Sequence, residues 1–253
     1  MSSTELSKDR TAARTRMATL PQLRHWIALP LASAALIAAA GLTLGSVPAV
    51  TAADLSVDAA LSHDHSAPLT AVALFINAAF SPAGGVLMIA AVCLFLLIVR
   101  RSPVNAMATG LVAAAAWVSC ELFKMVVARH RPDAGALFDP LIPEPGTDSF
   151  PSGHTSLAVA LAIAVFLLAR GTRWQKPALA GGAVAAVAVA LSRLYLGVHY
   201  PTDVAASFLT SLTGAAFTTG LWNTYGLALL ARFPLLARLG PIPAPGSRGP
   251  ASQ

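Results

Sequence analysis

The sequence predicts an all-α membrane protein, a bundle of six transmembrane helices, and two observations carry this prediction. Of the 253 residues, 56% are apolar and only 11% are charged, and the mean hydropathy is +0.67. A typical soluble domain is about 25% charged, so one soluble core of this size would not hide so much apolar surface. The 17 Lys and Arg, against 11 Asp and Glu, lie between long apolar runs, which indicates a bilayer rather than nucleic acid as the partner.

Six apolar segments are each long enough to cross the hydrocarbon core, which takes about 17 to 25 residues. The predicted spans are residues 26–47, 82–99, 104–127, 153–169, 178–198 and 202–230. The apolar run before the second span is interrupted at residues 81–85, which read Ser-Pro-Ala-Gly-Gly. Residues 69–80 are therefore expected to form a short interfacial or re-entrant helix, or the first half of a kinked span.

The spans divide the chain into a membrane domain, residues 26–232, and two tails. Residues 1–25 are basic and residues 233–253 are rich in Pro and Gly, so both are predicted to be unstructured cytoplasmic tails. A rival interpretation of the start is a signal peptide cleaved near residues 49–52, although its apolar run exceeds the usual core of about 7 to 15 residues. The two cysteines, Cys93 and Cys120, lie inside apolar runs and indicate neither a disulfide framework nor a metal site.

Loop charges orient the spans. Of the 17 Lys and Arg, 13 lie in the two tails and in the loops after the second and fourth spans, which the positive-inside rule assigns to the cytoplasm. Both termini are therefore expected on the cytoplasmic side of the cell membrane. The outer side carries carboxylates and only four cations, which need another explanation. These four are Lys124, Arg129, Arg131 and Arg193.

The first candidate cluster lies at the outer end of the third span. Lys124 and Arg131 are seven residues apart, which is two helical turns, so they can share a helix face before Pro132 ends the helix. Snorkelling of both side chains toward the headgroups is the alternative explanation. Glu121 lies one turn before Lys124 and can pair with it, and His130 is either a substrate contact or a solvated neighbour.

The second cluster is Ser152-Gly153-His154, directly before the fourth span. Ser152 is a good N-cap, and the first N–H groups of the following helix lack partners at a positive dipole end. Gly153 lets an anion approach that backbone closely, and His154 adds an ionisable group. The alternative is an ordinary helix cap with an interfacial histidine.

The third cluster joins the fifth and sixth spans. An arginine in a membrane helix is costly, so Arg193 should face a polar site. Gly197 and Pro201 allow a turn beside His199. Asp203, four residues further on, can hydrogen-bond one imidazole nitrogen and leave the other as a nucleophile or ligand. A purely structural His–Asp pair is the alternative.

All three clusters are predicted on the same outer face. Together they supply three cations, two histidines, one carboxylate and a helix N-terminus, which is what binding an anion and transferring a phosphoryl group require. Independent snorkelling would not assemble this set. The carboxylates and histidines lack the spacing of metal ligands, and the cations would repel a metal, so no metal or cofactor is expected.

At these residues the sequence resembles the type 2 phosphatidic acid phosphatase superfamily of integral-membrane lipid phosphatases. The three-part signature is Lys-x6-Arg-Pro, Pro-Ser-Gly-His and Ser-Arg-x5-His-x3-Asp, and residues 124–132, 151–154 and 192–203 match it without departure. The resemblance implies a site in which His199 is the nucleophile that forms a phosphohistidine, Asp203 orients it and His154 protonates the leaving group, and the loop charges place this site on the outer face. It also implies a set of phosphate-binding residues: Lys124, Arg131, Ser152, Gly153 and Arg193.

The expected function is that of a metal-independent membrane phosphatase or diphosphatase. Polyprenyl diphosphate, phosphatidic acid and phosphatidylglycerophosphate all fit a site that an amphiphile enters from the outer leaflet. The alternative is a non-catalytic lipid-phosphate binding or transport protein with the same anion pocket, but two histidines favour turnover because binding needs only the cations. The expected partners are the lipid substrate and membrane lipids, without nucleic acid, and the oligomeric state stays open.

Overall fold

The computed structural model describes residues 10–244, which form helices and loops without a β-strand. The helices are α1 (Ala28–Ser46), α2 (Pro48–His63), α3 (Ala67–Ala79), α4 (Pro82–Leu94), α5 (Pro103–Val127), α6 (Gly153–Ala169), α7 (Gln175–Tyr195), α8 (Pro201–Leu221) and α9 (Pro234–Ala237). Proline is the first residue of α2, α4, α5, α8 and α9. It suits this position because its missing N–H would have no partner there.

Within residues 10–244, five helices have the length and hydropathy to cross a membrane. They are α1, α4 with its continuation to Val99, α5, α7 and α8 with its continuation to Leu230. The fourth predicted span coincides with α6, which has 17 residues and lies at the lower limit for a transmembrane helix. The predicted all-helical membrane fold is confirmed, whereas the count of six spans stays a prediction.

The segment between the first two spans contains two separate helices. The predicted short helix at 69–80 corresponds to α3, and the chain breaks at Ser81, whose Oγ accepts a hydrogen bond from the Gly84 N–H at 3.2 Å. The polar helix α2 has no counterpart among the predicted elements. It was missed because it carries two aspartates, Asp54 and Asp58, and lacks a long apolar run.

Helix α6 packs against α5, α7 and α8 in the centre of the bundle. Small residues permit this approach: Ala160 and Ala164 on α6 are buried against the α5 alanines. On α7, a Cβ added to Gly182 would lie 2.8 Å from the Ala162 Cβ, so only glycine fits. Close packing through small residues is typical of membrane helices, because lipid supplies no hydrophobic force between them.

The N-terminal region differs from the predicted unstructured tail. Met17 is fully buried, its N–H donates to Asn105 Oδ1 at 2.9 Å, and Trp222 Nε1 donates to its carbonyl at 2.8 Å. The apolar residues around Met17 thus close the end of the bundle at which α5 begins. At the other tail, residues 234–237 form α9. Residues 1–9 and 245–253 of the two predicted tails lie outside the described residues.

Candidate active site

His199 lies in the turn between α7 and α8. Gly197 adopts a left-handed φ of +66°, which reverses the chain and turns the buried His199 side chain into the bundle. Nδ1 lies 2.8 Å from the Ser149 carbonyl oxygen. Since a carbonyl only accepts, Nδ1 carries the proton and Nε2 keeps its lone pair. That lone pair faces Arg131, whose Nη1 is 3.5 Å away.

Burial lowers the pKa of His199 to about 4, and the nearby Arg131 and Arg193 charges act in the same direction. These effects outweigh Asp203, which favours the protonated form. The imidazole is consequently neutral at pH 7, which is the form a nucleophile needs.

Asp203, at the start of α8, is fully buried but does not bond to His199 directly. Its Oδ2 is 3.7 Å from Nδ1, which is an ion-pair distance rather than a hydrogen bond. The same oxygen accepts from Ser149 Oγ at 2.5 Å and from the Tyr200 N–H at 3.0 Å. The structure therefore differs from the expected direct bond, because the Ser149 carbonyl takes that place. Ser149 thus links the Asp203 carboxylate to the imidazole, and the carboxylate lies within ion-pair distance of the ring.

Arg129 anchors Asp203 from the other side. Its Nη1 donates to Asp203 Oδ1 at 2.7 Å, and its Nη2 donates to Asp54 Oδ2 on α2 at 2.8 Å. The guanidinium also lies 4.2 Å from the centre of the Tyr200 ring. All three charged side chains are buried. The sequence predicted that Arg129 lies on the outer side of the membrane but did not predict its partners.

Two predicted phosphate-binding arginines converge on one carboxylate. Arg131 Nη1 bonds to Glu144 Oε2, and Arg193 Nη2 donates to both oxygens of Glu144 at 3.1 and 3.2 Å. Arg131 also forms a two-point contact with Asp148 at 2.9 and 3.2 Å, and this contact holds the pKa of the Asp148 carboxyl at about 2. A carboxylate thus lies between the two cations that the sequence assigns to a phosphate.

Helix α3 contributes one further residue to this cluster. The Asn77 side chain accepts from Arg193 Nη1, and the Asn77 carbonyl lies 3.2 Å from His154 Nε2. Because the carbonyl only accepts, Nε2 of His154 holds a proton and Nδ1 is free for proton exchange. Neither Asn77 nor Glu144 was predicted, because nothing in the local sequence pairs them with residues far along the chain.

Lys124 and Ser152-Gly153 complete the cluster at the N-terminus of α6. Lys124 pairs with Glu121 at 3.1 Å, a contact that their spacing of one helical turn allows. A Cβ at Gly153 would lie 3.3 Å from Lys124 Nζ, so the ammonium group lies directly beside the first turn of α6. Ser152 Oγ accepts from Thr155 Oγ1 at 3.2 Å and from the Thr155 N–H at 3.5 Å, which is the geometry of a helix cap. His130 is exposed.

The structure brings all eight predicted site residues into one connected cluster. Contacts run from Asp203 through His199 and Arg131 to Arg193, and onward through Asn77 to His154. Lys124, Ser152 and Gly153 border the same helix start. The cluster presents cations, backbone N–H donors and a neutral imidazole. The cations and donors can bind an anion such as phosphate, and the imidazole nitrogen can attack it. Within residues 10–244, no group of three or more His, Cys, Asp or Glu could hold a metal ion.

The sequence was compared with those of known protein families and known proteins. The sequence model of the PAP2 superfamily matches residues 103–226, a range that includes all eight site residues. Bacitracin transport permease protein BcrC of Bacillus licheniformis is 40% identical over 83 residues, or 33% of this chain and 37% of the relative. Undecaprenyl-diphosphatase BcrC of Bacillus subtilis is 29% identical over 152 residues, or 60% of this chain and 74% of the relative.

A solved structure shares the fold. It is that of the first transmembrane PAP2 type phosphatidylglycerolphosphate phosphatase from Bacillus subtilis, with a TM-score of 0.63 and 25% identity. The match covers 76% of this chain and 94% of the other. Among the curated relatives, by contrast, the matched region spans as little as 37% of the relative's length.

Proposed function

The chain belongs to the PAP2 superfamily, and on this premise we propose that it is a membrane phosphatase acting on a lipid phosphate or diphosphate. The observation that carries the proposal is the state of His199. A carbonyl fixes its Nδ1 proton, burial keeps the ring neutral, and the Nε2 lone pair faces Arg131. A protein that only bound phosphate would need the cations but not this imidazole.

In the first step, the Nε2 lone pair of His199 forms a bond to phosphorus while the bond to the leaving oxygen breaks. Arg131, Arg193 and Lys124 stabilise the charge that spreads over the equatorial phosphoryl oxygens, together with the N–H groups at the start of α6. A lipid alkoxide is a poor leaving group and needs a proton, which His154 donates from Nδ1 when both of its ring nitrogens are protonated. For a diphosphate the leaving group is a lipid phosphate, which departs more easily.

In the second step, water attacks the phosphohistidine and the N–P bond breaks. His154, which has lost its proton, accepts one from this water and returns to its starting state. His199 regains the Nε2 lone pair, and inorganic phosphate leaves. Asp203 stabilises the positive charge that the imidazole carries while it is phosphorylated, although it lies at 3.7 Å.

The substrate belongs to the amphiphilic phosphates. Polyprenyl diphosphate and phosphatidylglycerophosphate agree with the activities after which the undecaprenyl-diphosphatase relative and the structural neighbour are named, and phosphatidic acid presents the same phosphate monoester as the latter. The test is phosphate release from these three lipids by purified protein in detergent. Release of phosphate from at least one of the three lipids supports the proposal. If the protein binds the lipids but releases phosphate from none of them, the proposal is contradicted.

A second candidate function is non-catalytic binding or transport of a lipid phosphate. The observation in its favour is the name of the Bacillus licheniformis relative, a transport permease. The same assay separates the two functions. An enzyme releases phosphate, and its His199→Gln variant does not. A transporter binds the lipid without releasing phosphate, both as the wild type and as His199→Gln.

We also propose that the active site opens to the outer side of the cell membrane, with both termini in the cytoplasm. The asymmetry of 13 against four cations supports this orientation. Single cysteines introduced by Asp139→Cys and Arg173→Cys in a background without Cys93 and Cys120 test it. An impermeant thiol reagent applied to intact cells should label position 139 only. Labelling of position 173 alone contradicts the orientation.

A further inference from the structure

A cavity lined by arginines and apolar side chains lies at the opposite end of the bundle from the candidate active site. Its volume is about 620 Å³, which is within the usual range for a ligand pocket. We call it the basic cavity, and its lining residues are Arg10, Arg14, Arg16, Arg100, Phe95 and Val99, with Leu96, Leu168, Ser102, Asn105 and Ala13. Asn105 precedes Lys124 by 19 residues on α5, which at 1.5 Å per residue separates the two sites by about 28 Å.

The basic cavity concentrates positive charge, and the part of its wall that residues 10–244 form holds no counterion. Four arginines line it, and none of the described lining residues is acidic. Burial and the charge of Arg100 lower the pKa of Arg16, so these two cations are close enough to repel each other. The Arg16 guanidinium is held in place by the Leu168 carbonyl at 3.1 Å. Like charges that are held together in this way are stabilised by an anion placed between them.

One side of the wall is apolar and includes residues that are exposed on the surface of the bundle. Phe95 and Val99 lie at the end of the span that starts with α4, and both are exposed on the protein surface. Leu168 lies at the end of α6. The cavity therefore combines a cationic centre with an apolar side, at the level where helices emerge from the bilayer. A soluble anion would use only the cationic centre, whereas a phospholipid would use both.

We propose that the basic cavity binds the phosphate headgroup of an anionic phospholipid, with the acyl chains against Phe95 and Val99. Basic pockets between transmembrane helices on the cytoplasmic side bind acidic headgroups through the same combination of charge and apolar contact. In the proposed orientation the lipid comes from the inner leaflet. The bound lipid would tie the segment containing Arg14 and Arg16 to the end of α4, and so stabilise the bundle.

The experiment measures thermal unfolding of the full-length protein in a neutral detergent. Three additives are compared: phosphatidylglycerol, phosphatidylcholine and water-soluble glycerol 3-phosphate. Phosphatidylglycerol should raise the Tm in a saturable way, and the other two should not. An equal rise with phosphatidylcholine overturns the proposal. An equal rise with glycerol 3-phosphate also overturns it, because the site would then bind a soluble anion.

Variants locate the binding to the cavity. In Arg14→Gln/Arg16→Gln/Arg100→Gln, the phosphatidylglycerol concentration at half-maximal stabilisation should increase at least tenfold, since each arginine near a membrane surface contributes about fivefold. The matched control is Arg173→Gln/Arg232→Gln/Arg238→Gln, which removes three exposed arginines outside the cavity and should bind like the wild type. An equal loss in both triple variants contradicts the proposal.

A single variant guards against misfolding of the triple one. The exposed Arg100 donates no side-chain hydrogen bond within the described part of the chain, so Arg100→Gln should fold normally. It should weaken phosphatidylglycerol binding by about fivefold. Binding equal to that of wild type in this variant, with an intact Tm in detergent alone, overturns the proposal. Phosphate release at the distant active site reports folding independently, so failure of the lipid proposal would leave the proposed function standing.

Discussion

Arg129 donates a hydrogen bond to Asp203 at 2.7 Å, and both side chains are buried. The contact begins a chain that runs through Asp203 to Ser149 Oγ, and from the Ser149 carbonyl to Nδ1 of His199. The other end of Arg129 is held by Asp54 on α2. The orientation of His199 thus depends on a residue that faces away from the phosphate-binding cations.

Replacing Arg129 should slow phosphoryl transfer without weakening substrate binding. In Arg129→Gln we expect kcat to fall by about 10 to 100-fold, while KM changes little because Arg129 does not contact the Arg131–Arg193 cluster. The variant also leaves two buried carboxylates without their cation, which costs about 3–5 kcal/mol of unfolding free energy. Steady-state kinetics and thermal unfolding in detergent measure both effects.

The conservative variant Arg129→Lys serves as the control. It keeps the positive charge but cannot bond to Asp54 and Asp203 with one planar group, so its kcat should lie between those of the wild type and Arg129→Gln. A variant with unchanged kcat and a raised KM would show that Arg129 binds substrate and does not position Asp203.

Glu144 should compete with the substrate phosphate. It occupies the position between Arg131 and Arg193, so an incoming phosphate must displace it. Glu144→Gln removes this internal charge, and we expect the inhibition constant of vanadate to fall several-fold. The control is Asp139→Asn, which removes an exposed carboxylate from the same loop and should leave vanadate inhibition unchanged. Weaker inhibition in Glu144→Gln would contradict the competition.

The rate of phosphorylation below pH 7 should follow the protonation of His199. Its pKa of about 4 lies below the ordinary value of 6.5, so the folded protein keeps a neutral imidazole down to nearly pH 4. Single-turnover phosphorylation should stay constant from pH 7 to about pH 5 and fall below that. A loss of half the rate near pH 6.5 would mean that the imidazole titrates like an exposed histidine.

The same shift links stability to pH. Between about pH 4 and 6.5 the unfolded chain binds the proton at His199 more tightly than the folded one. His199 therefore contributes full stability above about pH 6.5, and this contribution is lost as the pH falls toward 4. Thermal unfolding of the wild type and His199→Gln across this range should show a shallower acid loss in the variant. If the Tm of both proteins falls equally with pH, the stability lost in acid comes from groups other than His199.

EDTA should leave the activity intact. The candidate site offers Lys124, Arg131 and Arg193 to the phosphate, where a metal-dependent phosphatase would offer carboxylates that hold the cation. Phosphate release from detergent-solubilised lipid is the measurement, with excess EDTA present. A strict requirement for Mg²⁺, beyond any effect on the lipid micelles, would contradict this assignment.

The sequence predicted those parts of the site whose partners are set by local spacing. Ser152, Gly153 and His154 begin one helix, and His199 and Asp203 share one turn. The remaining contacts depend on tertiary structure. Ser149 and Glu144 come from the long loop before α6, and Asn77 and Asp54 come from α3 and α2. No spacing rule connects these residues to the motifs.

Two features of the fold were not predicted, for the same reason. Helix α2 is only moderately apolar and has no membrane-length run, so hydropathy did not detect it. The segment around Met17 is polar on average, yet one fully buried methionine and its bonds to Asn105 and Trp222 order it. Both depend on individual contacts across the bundle, which composition does not report.

The central claim is that His199 is phosphorylated and His154 transfers protons. The most direct measurement uses His154→Ala and His199→Ala with radiolabelled phosphatidic acid and p-nitrophenyl phosphate, quenched at alkaline pH where phosphohistidine survives. Nitrophenolate leaves without a proton, whereas a lipid alkoxide needs one, so the rate of the first, phosphorylating step in His154→Ala should fall by about 10²–10⁴-fold with the lipid and be retained with p-nitrophenyl phosphate. This variant should accumulate label on His199, while His199→Ala should be inactive and unlabelled with both substrates. Equal losses on both substrates, with no label in either variant, would contradict the covalent mechanism.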